Sequence, residues 1–109
     1  MQSHRFIKKD NIIEIYTLEI FCGNCETNDE TKPYNIIVPS SLYTLFLDTK
    51  EIKKTIPEID FTVDYIKLLE IDEATWSKIV TLIQFYDIVK DNKERRDTTF
   101  DSIITVLTK

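Results

Sequence analysis

The N-terminal part of the chain alternates apolar and polar residues, which is the pattern of a half-buried β-strand. The alternation runs over Ile12–Phe21 and returns in the shorter segment Tyr34–Val38. The residues between them, Cys22–Lys32, are polar and typical of a turn-rich loop. These segments predict a β-hairpin with a long loop. Residues 1–11 are polar and basic, and we predict that they form a flexible lead-in.

The spacing of apolar residues becomes helical after Pro39. Serine and aspartate residues that can cap helices precede apolar residues three and four apart, which predicts two short helices within Ser41–Ile56. Tyr65–Leu69 is predicted to form a short third strand.

Two further helices are predicted near the C-terminus. Asp72 is placed to cap a long helix over Glu73–Lys90, and Thr99–Leu107 forms a second, shorter one. In both, apolar residues recur three and four apart and form one stripe that faces a core. The stripe of the long helix consists of Trp76, Ile79, Val80 and Ile83.

The composition fits one globular domain. The chain has 109 residues, 42% of them hydrophobic and 30% charged, which is enough to bury a core of its own. One glycine and three prolines argue against a turn-rich β-sandwich or barrel. We therefore predict a single α+β domain over residues 12–109, with a three-stranded sheet packed against four to five helices.

The charge balance excludes some classes of partner. The formal net charge of −5 repels phosphate backbones, so we expect no nucleic-acid partner. The apolar stretch Ile12–Cys22 contains Glu14 and Glu19, so it does not predict a membrane helix, and we expect no membrane partner. The first residues also lack the apolar core of a signal peptide. We expect a cytoplasmic or nuclear protein whose cysteines stay reduced.

Cys22-Gly-Asn-Cys25 is the one motif with the spacing of a metal or redox site. Zinc needs four ligands, and the sequence adds only His4, which lies in the predicted lead-in. Acidic residues follow the motif and would raise the pKa of the thiols. Because His4 is the one histidine, the sequence also offers no general base for nucleophilic catalysis. We therefore expect no enzyme activity, no cofactor and no metal, and keep a small zinc or redox protein built on Cys22 and Cys25 as a third hypothesis.

Several aromatic residues are hard to place inside the core of one small domain. Exposed aromatics beside Leu and Ile are typical of protein–protein interfaces, which directs attention to the surface. These residues are Tyr43, Phe61, Tyr65, Phe85 and Tyr86.

The order of the predicted elements resembles that of the Skp1 and elongin C family. The stretch Tyr65–Tyr86 is similar to the family's third strand and the helix after it. Tyr34–Val38, Ser41–Phe46 and Lys50–Ile56 resemble the strand and paired short helices that precede it, and Thr99–Leu107 resembles the helix after the charged loop. The resemblance implies the BTB/POZ (Skp1-like) architecture. It also implies a non-catalytic adaptor of the kind found in cullin-RING ubiquitin ligases.

This resemblance implies protein partners, either a cullin-type scaffold or a substrate receptor. In the family, the region of the last helix lies next to those contacts. The candidate partner-binding residues are Phe100, Ile103, Val106 and Leu107. The alternative is a self-associating BTB-like structural module that forms a homodimer and has no ligase role.

Overall fold

The computed structural model describes the backbone of residues 2–23 and 34–108 and the side chains of residues 2–21 and 36–108. These residues form a five-stranded antiparallel sheet and two α-helices. The order of the strands across the sheet is β4-β3-β2-β1-β5. A turn of 3-10 helix, Tyr65–Lys67, precedes β5. The elements are β1 (Gln2–Lys9), β2 (Ile12–Gly23), β3 (Tyr34–Phe46), β4 (Glu51–Ile59), β5 (Leu69–Ile71), α1 (Glu73–Val89) and α2 (Lys93–Thr108).

The predicted fold class is wrong: the described residues form a sheet of five strands rather than three, with two α-helices instead of the four to five helices of a BTB/POZ architecture. Residues 41–56 form the end of β3 and much of β4 instead of two short helices. Residues 2–9 of the expected lead-in form β1, which pairs along its whole length with β2. Tertiary pairing decides strand formation more than local spacing does, because a strand is stabilised by the neighbours against which it lies.

The tight turns of this sheet do not depend on glycine. Asp10 and Asn11 connect β1 to β2, and asparagine and aspartate tolerate turn geometry well. At the β3–β4 turn, Lys50 adopts a φ of 56°, in the left-handed region that usually favours glycine. The carbonyl of Lys50 accepts a 2.8 Å hydrogen bond from the Tyr86 hydroxyl, which holds this turn against α1. A chain with a single glycine therefore still builds a five-stranded sheet.

The main core lies between one face of the sheet and the two helices. Phe6, Ile13, Ile15 and Leu45 project from the strands, and each is at most 7% exposed. The helices meet them with buried residues three and four apart. These are Ile79, Ile83 and Tyr86 of α1 and Phe100, Ile103 and Leu107 of α2.

Helix α1 matches its prediction closely. Its N-terminal cap is Asp72, whose side chain accepts a 2.7 Å hydrogen bond from the backbone N–H of Thr75. Ile79 and Ile83 of the predicted stripe are buried, whereas Trp76 and Val80 are half-buried. Helix α2 begins at Lys93 rather than at Thr99.

The opposite face of the sheet is covered by a connecting segment between β4 and β5 rather than by the α-helices. After β4, residues 60–68 pass from one edge of the sheet to β5 at the other edge, and we call them the crossover segment. Val63 and Leu68 of this segment pack with Tyr16 and Leu18 of β2 in a second, smaller core. The strand predicted over residues 65–69 is thus the end of the crossover segment and the first residue of β5.

Candidate interaction surface

Three of the four predicted partner-binding residues belong to the protein's own core. Phe100, Ile103 and Leu107 are 1%, 0% and 6% exposed, because they fill the space between α2 and the sheet. Val106 is half-buried and lies on the outer side of the helix pair. Partner binding at this helix stays a prediction, and within this set of residues its accessible part is Val106.

Val106 lines a shallow groove between α2 and α1. The groove has a volume of about 400 Å³, and its apolar wall is completed by Leu82. Ser77, Lys78 and Thr81 form its other side. Phe85 and Ile88 of α1, both exposed, follow Lys78 and Thr81 at helical spacing. The surface of the groove is thus almost entirely apolar, and Phe85 and Ile88 add exposed apolar surface along the same helix.

A larger amount of exposed apolar surface follows the chain from β4 into the crossover segment. Three large aliphatic or aromatic side chains there, Ile56, Phe61 and Ile66, are between 72% and 85% exposed, and we call them the crossover surface. Large exposed apolar residues near one another are typical of sites where proteins bind one another. Ile59 and Leu69 are also exposed, but they lie opposite Ser40 and Phe6, on the helix-covered face at the two edges of the sheet.

A polar cleft of about 410 Å³ lies beneath the crossover segment. Its floor on the sheet includes Tyr16, whose hydroxyl donates a hydrogen bond to the carboxylate of Glu14. The ammonium group of Lys9 lies 2.8 Å from the same carboxylate. Because Lys9, Glu14 and Tyr16 all project from strands, the sheet fixes this three-residue arrangement before any ligand arrives.

The hydrogen bonds in the cleft hold Glu14 and Tyr16 in opposite protonation states. Burial alone would raise the pKa of Glu14. The hydrogen bonds from Lys9 and Tyr16, together with the positive charge of Lys9, outweigh burial, so the pKa of Glu14 lies below its ordinary value. Burial, the hydrogen bond to Glu14 and the charge of Glu14 all raise the pKa of Tyr16. Glu14 is therefore a carboxylate and Tyr16 a neutral hydrogen-bond donor at neutral pH.

The rim of the cleft carries a further negative charge. Asp60, at the start of the crossover segment, accepts a 2.9 Å hydrogen bond from the backbone N–H of Thr62. Hydrogen bonds from the side chain and backbone of Thr62 lower the pKa of Asp60, so it stays ionised. The other rim carboxylate, Asp64, has Lys67 within 3.9 Å. Asp60 thus presents a negative charge next to Phe61 of the crossover surface.

His4 lies in β1 and not in a loose tail. Its ring stacks on Trp76 of α1, with ring centroids 4.0 Å apart and an interplanar angle of 11°. Burial lowers the pKa of His4, and the negative charge of Glu19 offsets this only in part, so the ring is neutral at pH 7. The stack joins β1 to the first turn of α1, which gives His4 a structural role.

The Cys22-Gly-Asn-Cys25 motif lies largely outside the described residues: the structure gives only the backbone of Cys22 and Gly23, at the end of β2. Among the residues whose side chains are described, no three His, Cys, Asp or Glu residues are arranged to hold a metal ion. In the same part of the chain, neither helix is long and apolar enough to cross a membrane.

Comparisons with protein-family models, with curated proteins and with solved structures find no match to this chain. What can be inferred about its function therefore rests on its own residues.

Proposed function

We propose that this protein is a non-catalytic adaptor that binds other proteins through the crossover surface. The observation that supports the proposal is the exposure of Ile56, Phe61 and Ile66. Exposing such residues costs free energy of about 25 cal/mol for each Å² of apolar area left in water. A partner that covers them recovers this free energy, which makes the segment a natural binding surface.

The charge beside this surface favours a partner with basic side chains. Asp60 is adjacent to Phe61, and its carboxylate accepts hydrogen bonds from the uncharged backbone N–H and hydroxyl of Thr62, which leave its negative charge in place. The chain as a whole has a formal net charge of −5. An apolar partner surface that carries Lys or Arg would gain both apolar burial and a complementary field.

The groove beside Val106 is the second candidate surface. Its support is the apolar wall that Val106 forms with Leu82. The expectation of a cullin-type scaffold or a substrate receptor depends on the sequence resemblance alone and stays a prediction. So does the cytoplasmic or nuclear location, which microscopy of the tagged chain tests.

Two isoleucines of equal exposure distinguish the two surfaces. Ile66 in the crossover segment and Ile88 on α1 are both 77% exposed, so Ile66→Ser and Ile88→Ser remove equal amounts of exposed apolar surface. Affinity isolation of each tagged variant from the cells that make the protein, with quantitative mass spectrometry, measures which co-purifying proteins depend on each residue. Cullins or ligase receptors among them would support the resemblance.

We expect Ile66→Ser to reduce the recovery of specific partners by about tenfold, since a central interface residue contributes about 1–2 kcal/mol or more. Ile88→Ser should leave recovery unchanged. The opposite result would move the binding site to the helix face. Recovery that neither substitution changes would refute the proposal that these apolar surfaces bind proteins.

A further inference from the structure

The sheet extends past the beginning of α1 on its helix-covered side. Trp76, in the first turn of α1, stacks on His4 of β1, and His4 lies opposite Thr17 of β2. From Thr17 to Phe21, β2 continues for four more residues, which span about 14 Å in an antiparallel strand. Alternate residues of a strand share a face, so Glu19 and Phe21 lie on the helix-covered side of the sheet, beyond the stack.

Apolar side chains surround Glu19 on this part of the sheet. The residue directly opposite Glu19 is Val38 of β3, and Phe21 pairs with Ile36 of the same strand. Ile59 of β4 lies on the same side, at the outer edge of the sheet. Phe21, Ile36 and Ile59 are 52%, 43% and 59% exposed, and Val38 is half-buried. We call these five residues the distal face.

A depression of about 230 Å³ lies beside the distal face and is lined by both Glu19 and His4. Thr17 and Ser40 also line it, each with a hydroxyl group. The side-chain amide of Gln2, a further lining residue, donates a hydrogen bond to the Glu19 carboxylate. Since His4 is neutral at pH 7, Glu19 supplies the charge among the described residues that line the depression.

A β-bulge shapes this depression. The register of β3 against β4 is irregular between Ser41 and Tyr43. Leu42 and Pro57, which lie at this irregularity, complete the lining of the depression. A bulge bends its strand and redirects the side chains next to it. The pairing of β3 with β4 therefore builds a concave site into the sheet before any partner binds.

The surroundings of the depression are acidic as well. Asp72 and Glu73, at the start of α1, line a neighbouring cleft that has His4 in common with the depression. Arg5 also lines that cleft, but it follows His4 directly in β1 and so belongs to the opposite face of the sheet. In the part of the chain whose side chains are described, the ion pairs of lysine and arginine involve other carboxylates than that of Glu19.

From this geometry we propose that the distal face binds a segment of another protein in which Lys or Arg lies beside large apolar side chains. The cationic group enters the depression next to Glu19, and the apolar side chains cover Val38 and Ile59. A charge-assisted hydrogen bond to a carboxylate is among the stronger polar contacts in proteins. Phosphate groups do not fit, because the carboxylate repels them. This surface is separate from the crossover surface, and an adaptor that joins two partners needs two such surfaces.

Two short synthetic peptides of opposite charge test the proposal. One is an amphipathic peptide of leucine and lysine, and the other has glutamate in place of each lysine. Calorimetry measures their binding to the Ile66→Ser chain, in which the crossover surface is weakened. We expect the leucine–lysine peptide to bind and a further Glu19→Lys substitution to weaken it at least about tenfold, because like charges then meet in the depression. Glu51→Lys, at the far end of β4, makes the same change in net charge and should alter binding by less than about twofold.

An exchange of specificity separates recognition from a loss of fold. The Glu19→Lys chain should bind the leucine–glutamate peptide, and the Glu51→Lys chain should not. Ile59→Ser should weaken binding of the leucine–lysine peptide, whereas Ile88→Ser on α1 should leave it unchanged. A leucine–lysine peptide that does not bind overturns the proposal, and so do equal effects of Glu19→Lys and Glu51→Lys. Because every arm uses the Ile66→Ser chain, this proposal and the crossover-surface proposal fail separately.

Discussion

Truncating Ile83 tests the packing of α1 against the sheet. Ile83 is 2% exposed and lies in the main core with Phe6, Ile79 and Phe100. Ile83→Ala removes buried methyl groups and leaves a cavity, which costs about 2–5 kcal/mol. Ile83→Val removes one methylene and should cost about 0.5–1.5 kcal/mol. A domain of this size is stable by only about 5–15 kcal/mol, so the alanine variant loses a large share of its stability.

Urea unfolding followed by circular dichroism measures both changes as free energies of unfolding. Thermal unfolding provides a second scale, on which the valine variant should melt about 4–8 °C lower for each kcal/mol lost.

The matched control is Ile88→Ala on the same helix. Ile88 is 77% exposed, so its truncation loses little burial, and alanine has the higher helix propensity. We expect a change within about 0.5 kcal/mol. Equal losses at positions 83 and 88 would refute the account, because they would show that α1 does not present the Ile83 face to the sheet.

Two further predictions concern hydrogen bonds. The folded pKa of Glu14 lies below its ordinary value of 4.5, so its carboxylate contributes stability that is complete above pH 4.5 and is lost as the pH falls through the folded pKa. In the Glu14→Gln variant, the free energy of unfolding measured in urea should therefore fall less steeply as the pH drops below 4.5. An equally steep fall in this variant would contradict the hydrogen bonds described for Glu14. Tyr86→Phe should cost about 0.5–1.5 kcal/mol, since the 2.8 Å bond to the Lys50 carbonyl is lost; no change in urea unfolding would show that this bond does not hold the turn.

The sequence predicts well those elements whose pattern has one interpretation. The long stripe of α1 reflects one buried face, and Asp72 is a strong cap signal. The strand β2 is also found from its β-branched and alternating residues, although both of its faces are buried, Ile13 and Ile15 toward the helices and Tyr16 and Leu18 toward the crossover segment. Ile52 and Ile56 mislead because their spacing is helical. Ile52 in fact faces the core side of an edge strand, and Ile56 is pushed outward by the bulge. No local pattern reveals a bulge that depends on the pairing of β3 with β4.

The start of α2 and the strand β1 have little apolar signal. Residues 93–97 are all polar, and they become helical where the side chain of Asn92 accepts a 3.2 Å hydrogen bond from the backbone N–H of Arg95. β1 forms because β2 pairs with its backbone along the whole strand and β5 pairs with residues 4–6 on the other side.

Exposed aromatics were anticipated in part. Phe61, Tyr65 and Phe85 are exposed, as their poor fit to a small core indicated. Tyr86 is instead buried beneath the β3–β4 turn, and Tyr43 packs against the main core. The site residues predicted from the last helix included three core positions, because a single apolar stripe serves either a core or a partner. Only the position of the sheet decides between them.

Hydrogen exchange of the backbone amides tests whether the crossover surface binds a partner, since it locates bound surfaces without any substitution. The comparison is between the chain alone and the chain with a saturating amount of a partner recovered by affinity isolation. We expect slower exchange in residues 56–69, with little change in α1 and α2. Protection confined to the helices around Val106, with residues 56–69 unchanged, would contradict it.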